Sequence, residues 1–298
     1  MQKVYLHCPL NVSRTLVQMI SEYGEKMQDK YGEKIEILDQ PHRPEEKSLF
    51  ETDFENDEFP DMIIGHVNDF AALPDGYLEK YFLSIPDRFP IRKELEDMGF
   101  KDDKGYFHPF TVIPFAYFYN VNLLEEKDVP KSWEDLLNDT WSKKIRMPDE
   151  FRMVSIIIRT FMRANYPERF SIFNKNAVHS GSPIDVVQSV DKGEYPLGIT
   201  NIAFARISKN KNTKLIWPKD GFFCMPQVMV FSKKADKRLL ELGDFLMGKE
   251  VQEYLALQSF IPASAEIEVP KLLSQNNYKL YWDNWDNYLK VIKEGKGF

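Results

Sequence analysis

The chain of 298 residues is poor in cysteine, carries no basic excess and lacks the familiar catalytic loop signatures. Its two cysteines, Cys8 and Cys224, do not make a disulfide framework in a chain of this length. Neither sits in a CxxC pair, and sequence alone leaves a single Cys8–Cys224 bridge open. Lys and Arg number 39 against 46 Asp and Glu, a net charge of −7. Without a basic patch there is no footprint for nucleic acid, so no nucleic-acid partner is expected. The run Lys209-Asn210-Lys211-Asn212-Thr213-Lys214 reads as a solvated loop. No GxSxG elbow, Walker loop, GxGxxG or HExxH occurs, and there is no internal repeat or low-complexity tract. The first residues, Met1 to His7, lack the basic start, apolar core and cleavage site of a secretory signal. The protein is therefore expected either to be cytoplasmic or to be numbered after a removed leader. The longest uncharged stretch, Gly105 to Leu124, is long enough for a bilayer. Its Pro109, Pro114, Asn120 and Asn122 instead predict buried strand with turns.

What is present is globular: 43% hydrophobic and 29% charged residues, in a chain long enough for two domains. Val4-Tyr5-Leu6 reads as a strand, followed by a helix through Val12, Leu16, Met19, Ile20 and Tyr23, capped by Asn11 or Ser13. Glu36-Ile37-Leu38 is a second strand, Arg43 to Phe59 helix and loop, and Asp61 to Gly65 a strand buried on both faces. Strand alternating with helix predicts a parallel sheet with right-handed crossovers. In such sheets ligands gather beyond the carboxyl ends of the strands, which marks His7-Cys8-Pro9-Leu10-Asn11 and His66-Val67-Asn68.

A second αβ unit lies between the uncharged segments Gly105–Leu124 and Gly221–Ser232. It holds two predicted capping boxes, Ser132 with Asp135 and Ser182 with Asp185, the latter with Pro183 at the first helical position. Strands are expected at Ile145 to Pro148 and Leu197 to Thr200, and a helix from Met153 to Tyr166. The fold expected is α/β, two αβ lobes joined by a double-crossover hinge. Residues 1–112 with about 229–268 form the first lobe, 113–228 the inserted second, and 269–298 helices docked on a lobe. The hinge is expected near 110–118 and 225–232. After Ser232 the pattern is helical, and Tyr278, Tyr281, Trp282, Trp285, Tyr288, Leu289 and Ile292 form one aromatic stripe.

Phe59-Pro60-Asp61-Met62-Ile63-Ile64-Gly65 resembles the "PDVVIG" strand of type II periplasmic solute-binding proteins of ABC importers. Pro114 to Asn120 resembles their first crossover, and Pro130 to Leu137 their "PKSWEDLL" segment. Gly193 to Ile199, Asp244-Phe245-Leu246 and Phe260-Ile261-Pro262-Ala263 follow in family order, so the likeness spans about residues 59–263. It is strongest to the ferric-iron and phosphosugar branch. The resemblance implies a monomer whose lobes close on a small-molecule ligand, ABC importer membrane subunits as partners, and a periplasmic or cell-surface location if a leader has been removed. Iron-binding members carry adjacent tyrosines after the strand that here reads Gly198-Ile199-Thr200-Asn201; here Ile202-Ala203-Phe204-Ala205 follows, so the phenolate pair is absent.

Three chemistries compete for the site. His7 and His66, with Cys8 nearby, suit a transition metal, so a bound metal ion is possible though no cofactor is required. An anion would find the helix start at Ser180-Gly181-Ser182, hydroxyl and amide groups from Thr200 and Asn201, and guanidinium forks from Arg152 and Arg206. Asn11 and Tyr117 complete the candidate ligand-binding set; Tyr117 and Tyr119 alternate along a strand and cannot both face a ligand. A thiol transferase or hydrolase using Cys8 is the enzymatic alternative, with His66 better placed than the adjacent His7 as its base. The leading expectation is a solute-binding protein for a small, polar, anionic ligand. No catalytic residue is assigned.

Overall fold

The computed structural model describes residues 1–39 and 59–295. The helix and loop expected over Arg43 to Phe59 lie almost wholly outside the described residues. In chain order the elements are β1 (Gln2–His7), α1 (Leu10–Tyr31), β2 (Ile35–Asp39), β3 (Met62–His66), α2 (Tyr77–Tyr81), α3 (Lys93–Asp97) and β4 (His108–Asn120). There follow β5 (Ile145–Met147), α4 (Met153–Asn165), α5 (Phe170–Asn176), β6 (Ala177–His179), α6 (Pro183–Asp191), β7 (Leu197–Asn201), α7 (Ile202–Ala205) and β8 (Thr213–Leu215). The last are β9 (Phe222–Phe231), α8 (Lys237–Met247), α9 (Lys249–Leu257), β10 (Ile261–Pro262), α10 (Lys271–Ser274), β11 (Leu280–Tyr281) and α11 (Trp285–Gly295). No helix among the described residues is long and apolar enough to cross a membrane.

The chain divides into two compact units. The first comprises Met1–Val112, Met225–Pro270 and Asp283–Leu289; the second comprises Ile113–Cys224, Lys271–Trp282 and Lys290 onward. Strands β4 and β9 each run from one unit into the other, and the C-terminal segment is shared between both.

In the first unit β1 pairs in parallel with β2 and β3, with Tyr5 opposite Leu38 and Ile63. Every residue of β3 is buried, as a strand covered on both faces requires. Strand β9 then pairs antiparallel to β3, placing Gln227 opposite His66. Helix α1 begins one turn earlier than the capping pattern suggests. Pro9 stands at its N-cap without a side-chain bond, so Asn11 and Ser13 lie inside the first turn rather than capping it. The helix ends at Gly32, whose φ of 75° is left-handed and whose N–H closes on the Gln28 carbonyl. Gln252 of α9 is fully buried and satisfied: its Nε2 donates to the Phe110 and Leu246 carbonyls, and its Oε1 accepts from the Ser264 N–H.

In the second unit β5 lies parallel to β6 and β7, while β4 runs antiparallel to β7 and β8. Trp133, fully buried, organises the core: its ring stacks on Phe223 at 4.3 Å, and its Nε1 donates to the Gly221 carbonyl at 2.8 Å. Ser132 and Asp135 do exchange capping bonds, but they open only a single 3-10 turn, Glu134–Leu137. The aromatic tail is not one helical stripe. Leu280 and Tyr281 pair with Phe222 and Phe223 as a strand, and the helix starts only at Trp285. Backbone pairing to β9 outweighs the helical spacing of those side chains.

Candidate functional site

Two polar clusters stand at strand ends, one in each unit. In the first unit β1 and β3 end side by side at His7 and His66, whose rings meet edge-to-face with centroids 4.8 Å apart. That approach requires Gly65, because a Cβ there would sit 2.7 Å from the His7 carbonyl oxygen. His7 Nδ1 lies 2.7 Å from Asp69 Oδ2, and both side chains are nearly buried. His66 Nδ1 accepts from Gln227 Nε2 at 2.6 Å, so its own proton belongs on Nε2. Asn68 accepts from the Tyr288 hydroxyl at 3.1 Å. Four polar atoms here are buried with no partner: both ends of the Asn11 amide, Asn68 Nδ2 and Gln227 Oε1.

Cys8 is buried beside this cluster, and no bridge joins it to Cys224. Burial pushes the Cys224 thiol up. Among the described residues no group of three or more His, Cys, Asp or Glu is arranged to hold a metal ion. His7 and His66 therefore come together as expected, but as a pair of imidazoles engaged with Asp69 and Gln227.

In the second unit the parallel strands β5 and β6 end at Met147 and His179, next to the starts of α4 and α6. Helix α6 has its full capping box. Ser182 accepts from the Asp185 N–H, and Asp185 Oδ2 accepts from both the N–H and the hydroxyl of Ser182. Asp149 Oδ1 takes the Gly181 N–H at 2.7 Å. The N–H groups expected to greet an anion at Ser180–Ser182 are thus met by the chain's own carboxylates; the Ser180 N–H goes to the Met147 carbonyl.

Helix α4 differs. Arg152 stands at its N-cap with no side-chain cap bond, and the N–H groups of Met153, Val154 and Ser155 meet no acceptor among the described residues. Arg152 and Arg146, the latter central in β5, make no ion pair among the described residues, and Nε of each is buried without a partner. Each guanidinium lies over an aromatic ring at 5.2 Å, Arg146 over Tyr195 and Arg152 over Phe151. Their positive charges both help hold the Asp185 carboxyl below its usual range, after the larger effect of its bonds to Ser182. Burial pushes the His179 pKa down; its Nδ1 bonds the Pro148 carbonyl and its Nε2 is buried without a partner.

The remaining candidates divide. Thr200 is fully buried with its hydroxyl unpartnered, and Asn201 caps the short α7 through its side chain. Arg206 is exposed at the end of α7. Tyr117 lies in the core against Trp133 rather than at a surface. Sequence reasoning missed Asp69, Gln227 and Arg146. The last had a visible signal, an arginine between two apolar residues of a short strand; Gln227 had none, since it meets His66 across 161 residues.

The fold is that of two-lobed periplasmic binding proteins. A ferric binding protein from Campylobacter jejuni superposes with a TM-score of 0.70 at 15% identity, covering 99% of this chain and 97% of that one. Iron-bound HitA from Pseudomonas aeruginosa gives 0.69 at 14%, covering 100% of both chains. An ABC transporter from Clostridium perfringens gives 0.69 at 15%, covering 99% of this chain and 96% of that one. At such identities the likeness shows the fold alone. No curated protein matches the sequence. A family profile for bacterial extracellular solute-binding proteins matches residues 57–291, and the chain belongs to that family. Membership implies a small-molecule ligand and ABC-importer partners, and the family is one of binding proteins, not enzymes.

Proposed function

We propose that this protein works as an extracytoplasmic monomer, captures a small polar anion by closing its two units over it, and presents it to an ABC-type importer. One observation supports the anionic reading: Arg152 at the uncapped start of α4 and Arg146 in β5 make no ion pair among the described residues, and Nε of each is buried without a partner. Arginine forks match carboxylate and phosphate oxygens, and a helix start adds oriented N–H donors. The net charge of −7 does not oppose this, since salt screens the general field beyond about 8 Å. Closure follows if both units touch the solute only in the closed form, so that binding shifts the population.

Calorimetry in low-phosphate buffer against phosphosugars, carboxylates, polyamines and divalent metals tests the reading. Expected are saturable anion binding, compaction in solution scattering, and at least tenfold weaker affinity in Arg146→Ala with Arg152→Ala. Binding of polyamines or metals alone, or anion affinity unchanged in the double variant, overturns it. A transition-metal solute is the second reading, supported by the 4.8 Å approach of His7 and His66; saturable metal binding abolished in His7→Ala with His66→Ala would establish it.

A further inference from the structure

Among the described residues α11 is the one helix that belongs to both units: Trp285 to Leu289 lie in the first and Lys290 onward in the second. Its first half is clasped within the first unit. The nearly buried Trp285 indole stacks on Phe107 at 5.3 Å and donates through Nε1 to the Phe100 carbonyl at 3.1 Å. About one turn further on, the buried Tyr288 hydroxyl donates to Asn68 Oδ1 at 3.1 Å. Asn68 lies in the 3-10 turn Val67–Ala72, directly before Asp69, the partner of His7. The clasp therefore reaches the turn that holds the strand-end cluster.

The second half is seated on α4 within the second unit. Gly295 approaches Thr160 so closely that a Cβ there would stand 2.5 Å from the threonine Oγ1 and Cγ2. The tail before the helix is tied to the same element, since the Tyr281 hydroxyl donates to Asn165 Oδ1 at the end of α4. Helix α4 is also the one that opens with Arg152. Strands β4 and β9, which run from one unit into the other, can twist along their length. A helix kinks sharply only where its ladder of hydrogen bonds is interrupted, most often at proline. Helix α11 contains no proline and spans eleven residues, about 16 Å.

We infer that α11 is a strap: it couples the turn bearing Asn68 and Asp69 to the helix headed by Arg152, keeps the ligand-free protein in a single arrangement of its units, and is what any hinge motion has to work against. The inference concerns the ligand-free chain and does not rest on the anionic reading. Nitroxide labels test it, attached to cysteines placed at Leu257 in the first unit and Leu123 in the second, which are 77% and 48% exposed while both native cysteines are buried. Pulsed dipolar spectroscopy without solute reads the distribution of distances between the labels. One narrow distribution is expected for the labelled chain with its strap intact. Gly295→Val, which lifts the end of the helix off Thr160, is expected to broaden it at least twofold. So is Lys290→Pro, which breaks the helix at an exposed position between the two clasps. Thermal unfolding shows whether each variant is folded, and Lys290→Gly, a milder break, replaces the proline where it is not. A distribution already broad with the strap intact, or one left equally narrow by either folded variant, overturns the inference. Neither result touches the anionic reading, which stands or falls on the calorimetry above.

Discussion

His66 and Gln227 face each other on neighbouring antiparallel strands, the amide nitrogen 2.6 Å from the imidazole Nδ1 and both side chains almost wholly buried. Gln227→Leu leaves that ring nitrogen without its donor in the interior. An orphaned buried acceptor costs about 1–3 kcal/mol. Urea unfolding should show the loss as a lower midpoint with an unchanged slope; an unchanged midpoint would show that the pair adds nothing.

His108 supplies a pH dependence. Burial pushes its pKa down to about 4, against the opposing pull of the Gly105 carbonyl. Because the folded value lies below the unfolded one near 6.5, the folded state refuses a proton that the unfolded chain accepts. Stability from this group is full above about pH 6.5 and is lost progressively as the pH falls towards about 4, by about 3 kcal/mol in total. His108→Phe should flatten the stability profile across that window. A variant that parallels the wild type would sink the assignment.

Tyr117→Phe should not weaken the protein. The hydroxyl is buried without a partner, and burial, with the nearby Asp220 charge, pushes its ionisation up. Removing an unsatisfied buried hydroxyl is expected to be neutral or to stabilise by about 1 kcal/mol. Solute affinity in this variant should match the wild type; a marked loss would mean that the hydroxyl touches the ligand.

Gln252→Leu has the opposite sign. It strips donors from the Phe110 and Leu246 carbonyls and an acceptor from Ser264 in one step. A destabilisation of about 2–4 kcal/mol is expected from calorimetric unfolding. A shift close to zero would mean that water replaces the amide.

The elements most legible in the sequence were those whose local chemistry and burial agree. Met62-Ile63-Ile64 has no polar face to mislead, and Ser182-Pro183-Ile184-Asp185 carries its cap and its first-turn proline together. The tail misled because Tyr278 to Trp285 has helical spacing while Leu280 and Tyr281 are recruited by the edge of β9, an interaction across some 58 residues. At the site, His7 and His66 followed from strand ends, but Asp69 and Gln227 did not. Their roles exist only once β1, β3 and β9 lie side by side. The loop at Gly181 shows a different limit: its donors were legible, but not that Asp149 and Asp185 would consume them.

Both native thiols are buried, and the chain has no other cysteine. A single cysteine introduced at an exposed position would therefore meet little competition for a maleimide dye. Solute capture then becomes readable as a fluorescence change on an otherwise unaltered chain, with no need to remove Cys8 from beside the His7–His66 pair.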